Sequence, residues 1–216
     1  MKSPIQRVTS AAVSEEIDYN LLIGCLQDFS APRDVITPML RAAELIRVKK
    51  GIYVFGKDYS KRPYSLEVLA NMIYGPSYVS CEYALSLYGL IPEAVQEVTC
   101  MTTGRNKLFD TPVGRFSYQF LPIVKYKVGL ERLRVTDKVG ALIASPEKAL
   151  ADTVFKRKEV TGNIHELKAI LHDDYRIDLL SIRQLRVGLI DEIAKAYKHP
   201  RIQLLPAIIR EAKKNE

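Results

Sequence analysis

The run Ile46-Arg-Val-Lys-Lys-Gly-Ile-Tyr-Val-Phe-Gly56 most constrains what this chain can fold into. Ile46, Val48, Ile52, Val54 and Phe55 are strand formers, and Lys49-Lys50-Gly51 interrupts them with a glycine able to take the positive φ of a tight turn. The run therefore predicts a β-hairpin closed by Gly56. The residues before it carry helical spacing. Leu21, Leu22, Cys25, Leu26 and Phe29 recur on one helix face. Ser30 with Pro32, and Thr37 with Pro38, each repeat the signal of an N-cap followed by a first-turn proline. The reading is a helix from Tyr19, a short helix over 31–35 and a third from Pro38 to about Ile46. Three short helices followed by a hairpin have the order of a winged helix-turn-helix.

The rest of the chain reads as α+β. Residues 1–18 are polar and lack periodicity, which predicts a flexible lead or a poorly ordered helix. Residues 19–62 form the helix-and-hairpin module, with the charged stretch 57–64 as a linker, and 63–216 form a mixed domain with a helical end. Ser65 caps one helix and Ser80 another. The segments EVTCMTT, RFSYQFLP, VKYKVGL and KVGALIA are strand-like. From Ser145-Pro146 the helices PEKALADTVFKRK, NIHELKAIL, LIDEIAKAYK and PRIQLLPAIIREAKK follow.

Charge is concentrated beside the hairpin. Residues 33–62 carry net +5, residues 63–155 are neutral and 156–216 carry +4. A basic cluster at one end is what a polyanion binder needs, although solvated lysines alone can produce it. On a helical wheel over 36–47, Ile36, Met39, Leu40, Ala43 and Ile46 share one face, and Arg41 lies opposite, flanked by Thr37, Pro38 and Leu45. An outward arginine can donate two bonds to a guanine edge in the major groove, which makes Arg41 the first candidate for base reading. Thr37, at the predicted helix start, would meet a phosphate, and Arg33, Arg47, Lys49 and Lys50 would supply affinity to the backbone. Tyr53 would add a phosphate bond or pack on Tyr59. Leu45 is odd on such a face and counts for the competing reading, a protein-interaction module with a wet basic side.

Other chemistries find little support. Cys25, Cys81 and Cys100 are isolated thiols that form no CxxC pair. His172-Asp173-Asp174 reads as a helix end with a solvated acidic turn, and Ser145-Pro146-Glu147 as a helix start. No nucleotide-binding loop, zinc-protease or hydrolase motif occurs, so neither catalysis nor a metal or cofactor is expected. No apolar run long enough for a membrane helix occurs, and the first 20 residues lack a signal-peptide core, so a cytoplasmic protein is expected.

Three blocks carry a family resemblance. They are Tyr78-Val79-Ser80 with Ala84-Leu85 and Gly89-Leu-Ile-Pro-Glu93; Thr111-Pro112 with Gly114-Arg-Phe116 and Tyr118; and Pro146-Glu-Lys-Ala-Leu150 with Asp152. In this order, and with the LIRVKKGIYVFG hairpin, the chain resembles the AbiEi antitoxins of the abortive-infection E system over about residues 19–155. The resemblance implies a winged helix that binds inverted-repeat operator DNA and represses its own operon. It also implies a second domain that antagonises a nucleotidyltransferase-like toxin without a stable complex, the type IV arrangement of phage-defence operons. A stand-alone regulator without a toxin, an interaction scaffold and a nucleotide-acting enzyme are the alternatives.

Overall fold

A computed structural model of the chain describes residues 2–157 and 163–214, and shows a mixed α+β fold with a helical C-terminal end. The N-terminal module contains α1 (Pro4–Ala11), β1 (Glu16–Asp18), α2 (Tyr19–Cys25), α3 (Pro32–Arg41), β2 (Leu45–Lys49) and β3 (Ile52–Phe55). Its strands form an antiparallel sheet in the order β1-β3-β2.

The first 18 residues are not a flexible lead. Ser3 and Gln6 form a capping box that starts α1, and Ile5 and Val8 bury themselves against α2 and α3. The segment looks polar because only one narrow stripe of α1 is apolar. Residues 57–64 do not act as a free linker either. The Lys61 N–H donates to Glu15 at 3.2 Å, and the Ser65 N–H donates to the Glu16 carboxylate, strapping this stretch along β1.

The helices over 31–35 and 38–46 are replaced by one helix, α3, which carries Pro38 in its interior. Ala31, rather than Ser30, sits at its N-cap, and Thr37 is mid-helix rather than a cap. Ala43 leaves the helix with φ 55°, so Leu45 belongs to β2 and is 1% exposed. That removes the anomaly of an apolar side chain on the outward helix face. Gly56 fixes this corner. A Cβ there would lie 1.8 Å from the Ala43 carbonyl oxygen, and the Gly56 N–H donates to Glu44 O at 2.9 Å.

The second domain is built on a six-stranded sheet ordered β6-β7-β5-β4-β9-β8. Its elements in chain order are α4 (Leu66–Ile73), β4 (Ser77–Val79), α5 (Cys81–Leu87), β5 (Val98–Thr102), β6 (Lys107–Thr111), β7 (Gly114–Phe120), α6 (Ile123–Tyr126), β8 (Leu130–Arg134), β9 (Gly140–Ala144) and α7 (Pro146–Lys156). The chain closes with α8 (Ile164–Ala169), a π-helical turn (Ile170–Asp174), α9 (Leu179–Gln184), α10 (Val187–Tyr197) and α11 (Pro200–Lys214). The predicted strand VKYKVGL is the short helix α6 followed by a turn, while β4, β6 and all of β8 but Leu130 carry no strand expectation. Lys158, the last residue of the predicted PEKALADTVFKRK helix, lies outside the described residues.

Register separates the two faces of this sheet. Tyr78 pairs with Met101, and its hydroxyl reaches Asp152 of α7. Tyr118 pairs with Cys100, one residue away, and its hydroxyl donates to Ala70 of α4. Because side chains alternate along a strand, α4 covers one face and α7 the other.

A direct test of the ordered N-terminus is Ile5→Ala. Truncating a buried isoleucine costs about 2–5 kcal/mol, read from urea unfolding. An unchanged midpoint would restore the flexible lead.

Candidate nucleic-acid interface

The register of the small sheet decides which of its cations face solvent. Leu45 pairs with Phe55, and Arg47 with Tyr53. Leu45, Tyr53 and Phe55 all pack with the helices, so this is the helix-bearing face of the sheet. Arg47 occupies the same face at its exposed margin. Ile52 and Val54 point the other way, into the core of the second domain, with Val48. A bulge between Arg47 and Lys49 then brings Lys49 opposite Ile52.

Lys49 therefore does not project from a hairpin tip. Its ammonium donates to the Ile73 carbonyl at 2.8 Å and lies 4.3 Å from the centre of the Phe109 ring, both in the second domain. The bond satisfies one α4 C-terminal carbonyl and the ring adds a cation–π interaction. Tyr53 is likewise removed as a candidate, since it is 5% exposed within the small core. Lys50, at the turn beside Gly51 with its φ of 86°, remains exposed.

On α3 the exposed residues are Arg33, Asp34, Thr37, Pro38 and Arg41. Arg33, Thr37 and Arg41 are spaced four apart, so they form one stripe, with Ile36 and Met39 buried behind it. At 1.5 Å per residue the two guanidinium-bearing positions are about 12 Å apart along the axis, close to the roughly 12 Å width of a major groove. Among the described residues no ion pair or hydrogen bond engages the side chains of Arg33, Arg41, Arg47 or Lys50. Several other arginines are committed, Arg7 to Asp28, Arg176 to Glu93, Arg186 to Glu131 and Glu147, and Arg210 to Asp191, whereas Arg105, Arg132 and Arg134 of the second domain are exposed and their side chains likewise without such a bond among the described residues. The structure thus brings Arg33, Thr37, Pro38 and Arg41 to one surface, adds Arg47 at its margin, keeps Lys50 exposed, and withdraws Lys49 and Tyr53.

A second polar constellation escapes the reading of residues 145–152 as a mere helix start. Ser145 does cap α7, accepting from the Lys148 N–H at 3.2 Å. Yet Lys148 and Asp152 are both 0% exposed and form an ion pair at 3.4 Å. Asp152 also accepts from the hydroxyls of Tyr78 at 2.9 Å, Ser80 at 2.6 Å and Tyr197. Lys148 donates to the Lys125 carbonyl at 2.6 Å and to Tyr197. Burial, followed by the Asp152 charge, pushes the Tyr78 and Tyr197 hydroxyls far above their ordinary range, so both stay protonated donors. Burial pulls Lys148 down, against the opposing pull of Asp152. With its polar atoms engaged and no opening to solvent, this network ties α7 to β4 and α10. The signal that reveals it is a Lys–Asp pair four apart that brackets and adjoins the apolar residues Ala149, Leu150, Ala151 and Val154.

The remaining candidates are ordinary in placement. His172 and Asp173 are exposed on the π-helical turn, 2.8 Å apart. Cys81 and Cys100 are buried and Cys25 half-buried, and burial raises all three thiols. No group of histidine, cysteine and carboxylate side chains that could hold a metal ion occurs among the described residues. No helix among them is long and apolar enough to cross a membrane.

No family model matches the chain, and no curated protein matches it in sequence. The fold is similar to that of the Rv2827c protein from Mycobacterium tuberculosis. The crystal structure of that protein aligns with a TM-score of 0.52 at 13% identity, over 100% of this chain and 82% of the other.

Two substitutions separate structural cations from exposed ones. Lys49→Ala should cost about 1–2 kcal/mol of stability, by removing a hydrogen bond and a cation–π interaction, and leave nucleic-acid affinity within twofold. Asp152→Asn should cost about 3–5 kcal/mol, because it strands a buried ammonium. Replacing both partners, Lys148→Met with Asp152→Leu, should cost less than Asp152→Asn alone. Chemical denaturation of the three variants checks the order, and a cheap Asp152→Asn would mean that Lys148 folds neutral.

Proposed function

We propose that the N-terminal module is a winged helix-turn-helix that reads duplex DNA, with α3 as the recognition helix and the β2–β3 hairpin as a shortened wing. One observation carries this reading: the exposed stripe Arg33-Thr37-Arg41, its guanidiniums unpaired among the described residues, on a helix anchored behind by Ile36 and Met39. The element order helix-strand-helix-helix-strand-strand, with β3 between β1 and β2, supports this reading. Arg41 and Arg33 are the base-edge candidates, Thr37 a phosphate or base partner, and Arg47 with Lys50 backbone partners.

The same reading makes the chain a transcriptional autorepressor and, by its resemblance to AbiEi proteins, the antitoxin partner of a nucleotidyltransferase-like toxin. The resemblance blocks at Tyr78-Ser80 and Pro146-Asp152 meet physically in the buried network around Asp152, which supports treating them as one motif. A motif wholly inside the domain maintains its fold, so toxin antagonism would act through the surface around it.

The experiment is fluorescence anisotropy with duplex DNA from upstream of the chain's own reading frame, across a salt series. Arg41→Ala should weaken operator binding by roughly 1–3 kcal/mol and relax base preference. Arg47→Ala with Lys50→Ala should weaken all duplexes alike and reduce the salt slope by about 0.9 for each phosphate that is no longer neutralised. Retention of full affinity by an Arg33→Ala, Arg41→Ala double variant would refute the reading.

A further inference from the structure

An opening apart from the α3 stripe lies in the second domain. It is a cleft of about 770 Å³ on the α7 face of the large sheet. Its floor is β7 and the edge strand β6, and its walls are the last turn of α7, Glu82 of α5 and Tyr175. That volume lies within the range of small-molecule sites, and is several times what a lone inorganic anion needs.

Three features of the lining converge on one ligand chemistry. Ser117 and Gln119 alternate with Tyr118, so their side chains leave the sheet on the cleft side. Neither side chain has a hydrogen-bond partner among the described residues, so a hydroxyl and an amide are available to a polar ring edge. Leu108, 49% exposed, and the Tyr175 ring offer apolar surface to the faces of such a ring. Lys156 stands at the wall with its ammonium 3.3 Å from Glu82, which leaves further donors of the three it carries. The Arg157 guanidinium is paired with Asp174 and lies 5.6 Å from the centre of the Tyr175 ring, so it frames the cleft and is already engaged. Arg201 donates to the Arg157 carbonyl, so this helix end presents cations in place of a bare acceptor.

We propose that this cleft binds a nucleotide, with the base lying between Leu108 and Tyr175, its edge read by Ser117 and Gln119, and its phosphates held by Lys156. The assignment does not depend on DNA reading by α3, which uses another part of the chain.

The test is calorimetric titration of the full chain with ADP, with adenosine and inorganic phosphate in parallel, supported by thermal shift. Saturating ADP should raise Tm by roughly 2–5 °C. It should also bind at least tenfold tighter than adenosine or phosphate alone. Lys156→Gln should weaken ADP about tenfold or more, and Gln119→Ala by about threefold, with melting of the unliganded variants confirming that each is folded. Gln119 is half-buried on the sheet and its side chain is bonded to nothing else among the described residues, so its variant keeps the test open if Lys156→Gln fails to fold. Absence of any ADP binding overturns the proposal. So does binding unchanged by both substitutions, equal binding of phosphate alone, or displacement of ADP by a short single strand that binds more tightly.

Discussion

Strand β3 is the constraint on which the rest of the structure depends. All four of its residues are buried, and they alternate between two cores: Tyr53 and Phe55 face the small helical core, Ile52 and Val54 the large one. A strand covered on both faces has no solvent side, which is why IYVF reads as an unbroken apolar run. The consequence is mechanical. A hairpin that would otherwise reach freely toward a ligand is fastened to the second domain by Ile52, Val54 and the Lys49 ammonium. The module and the domain share a wall, so the orientation of α3 is set by the large sheet as well as by its own neighbours.

The second domain meets that demand with a rigid interior. The ion pair between Lys148 and Asp152 lies where three hydroxyls and a backbone carbonyl complete its coordination. Such a pair contributes little net stability compared with apolar packing, but it admits few alternative arrangements of α7, β4 and α10.

Much of this is legible in the sequence. The hairpin and its glycine turn, the helix caps at Ser65 and Ser145, and the outward direction of Arg41 all follow from local chemistry, and the structure shows each of them. What local chemistry misses has identifiable causes. Pro38 announces a helix start in most contexts, whereas here it sits inside α3, so the sequence reads as two helices where there is one. Ser80 occupies a cap position, but its hydroxyl is drawn to Asp152, 72 residues away, and no spacing rule encodes that. The fate of Lys49 turns on a one-residue bulge, and a slip of one residue moves a side chain from one face of a sheet to the other. Residues 3–11 look unstructured in sequence, yet a capping box and two buried aliphatics suffice to hold a helix whose remaining faces are polar.

The central claim is that the outward stripe of α3 meets a duplex, and photo-crosslinking tests it most directly. A photoreactive amino acid at Thr37, midway along that stripe, should crosslink to duplex DNA from upstream of the chain's reading frame. The same group at Val124, 65% exposed on the second domain, should not. Crosslinking from Val124 and none from Thr37, with both proteins folded, would contradict the account.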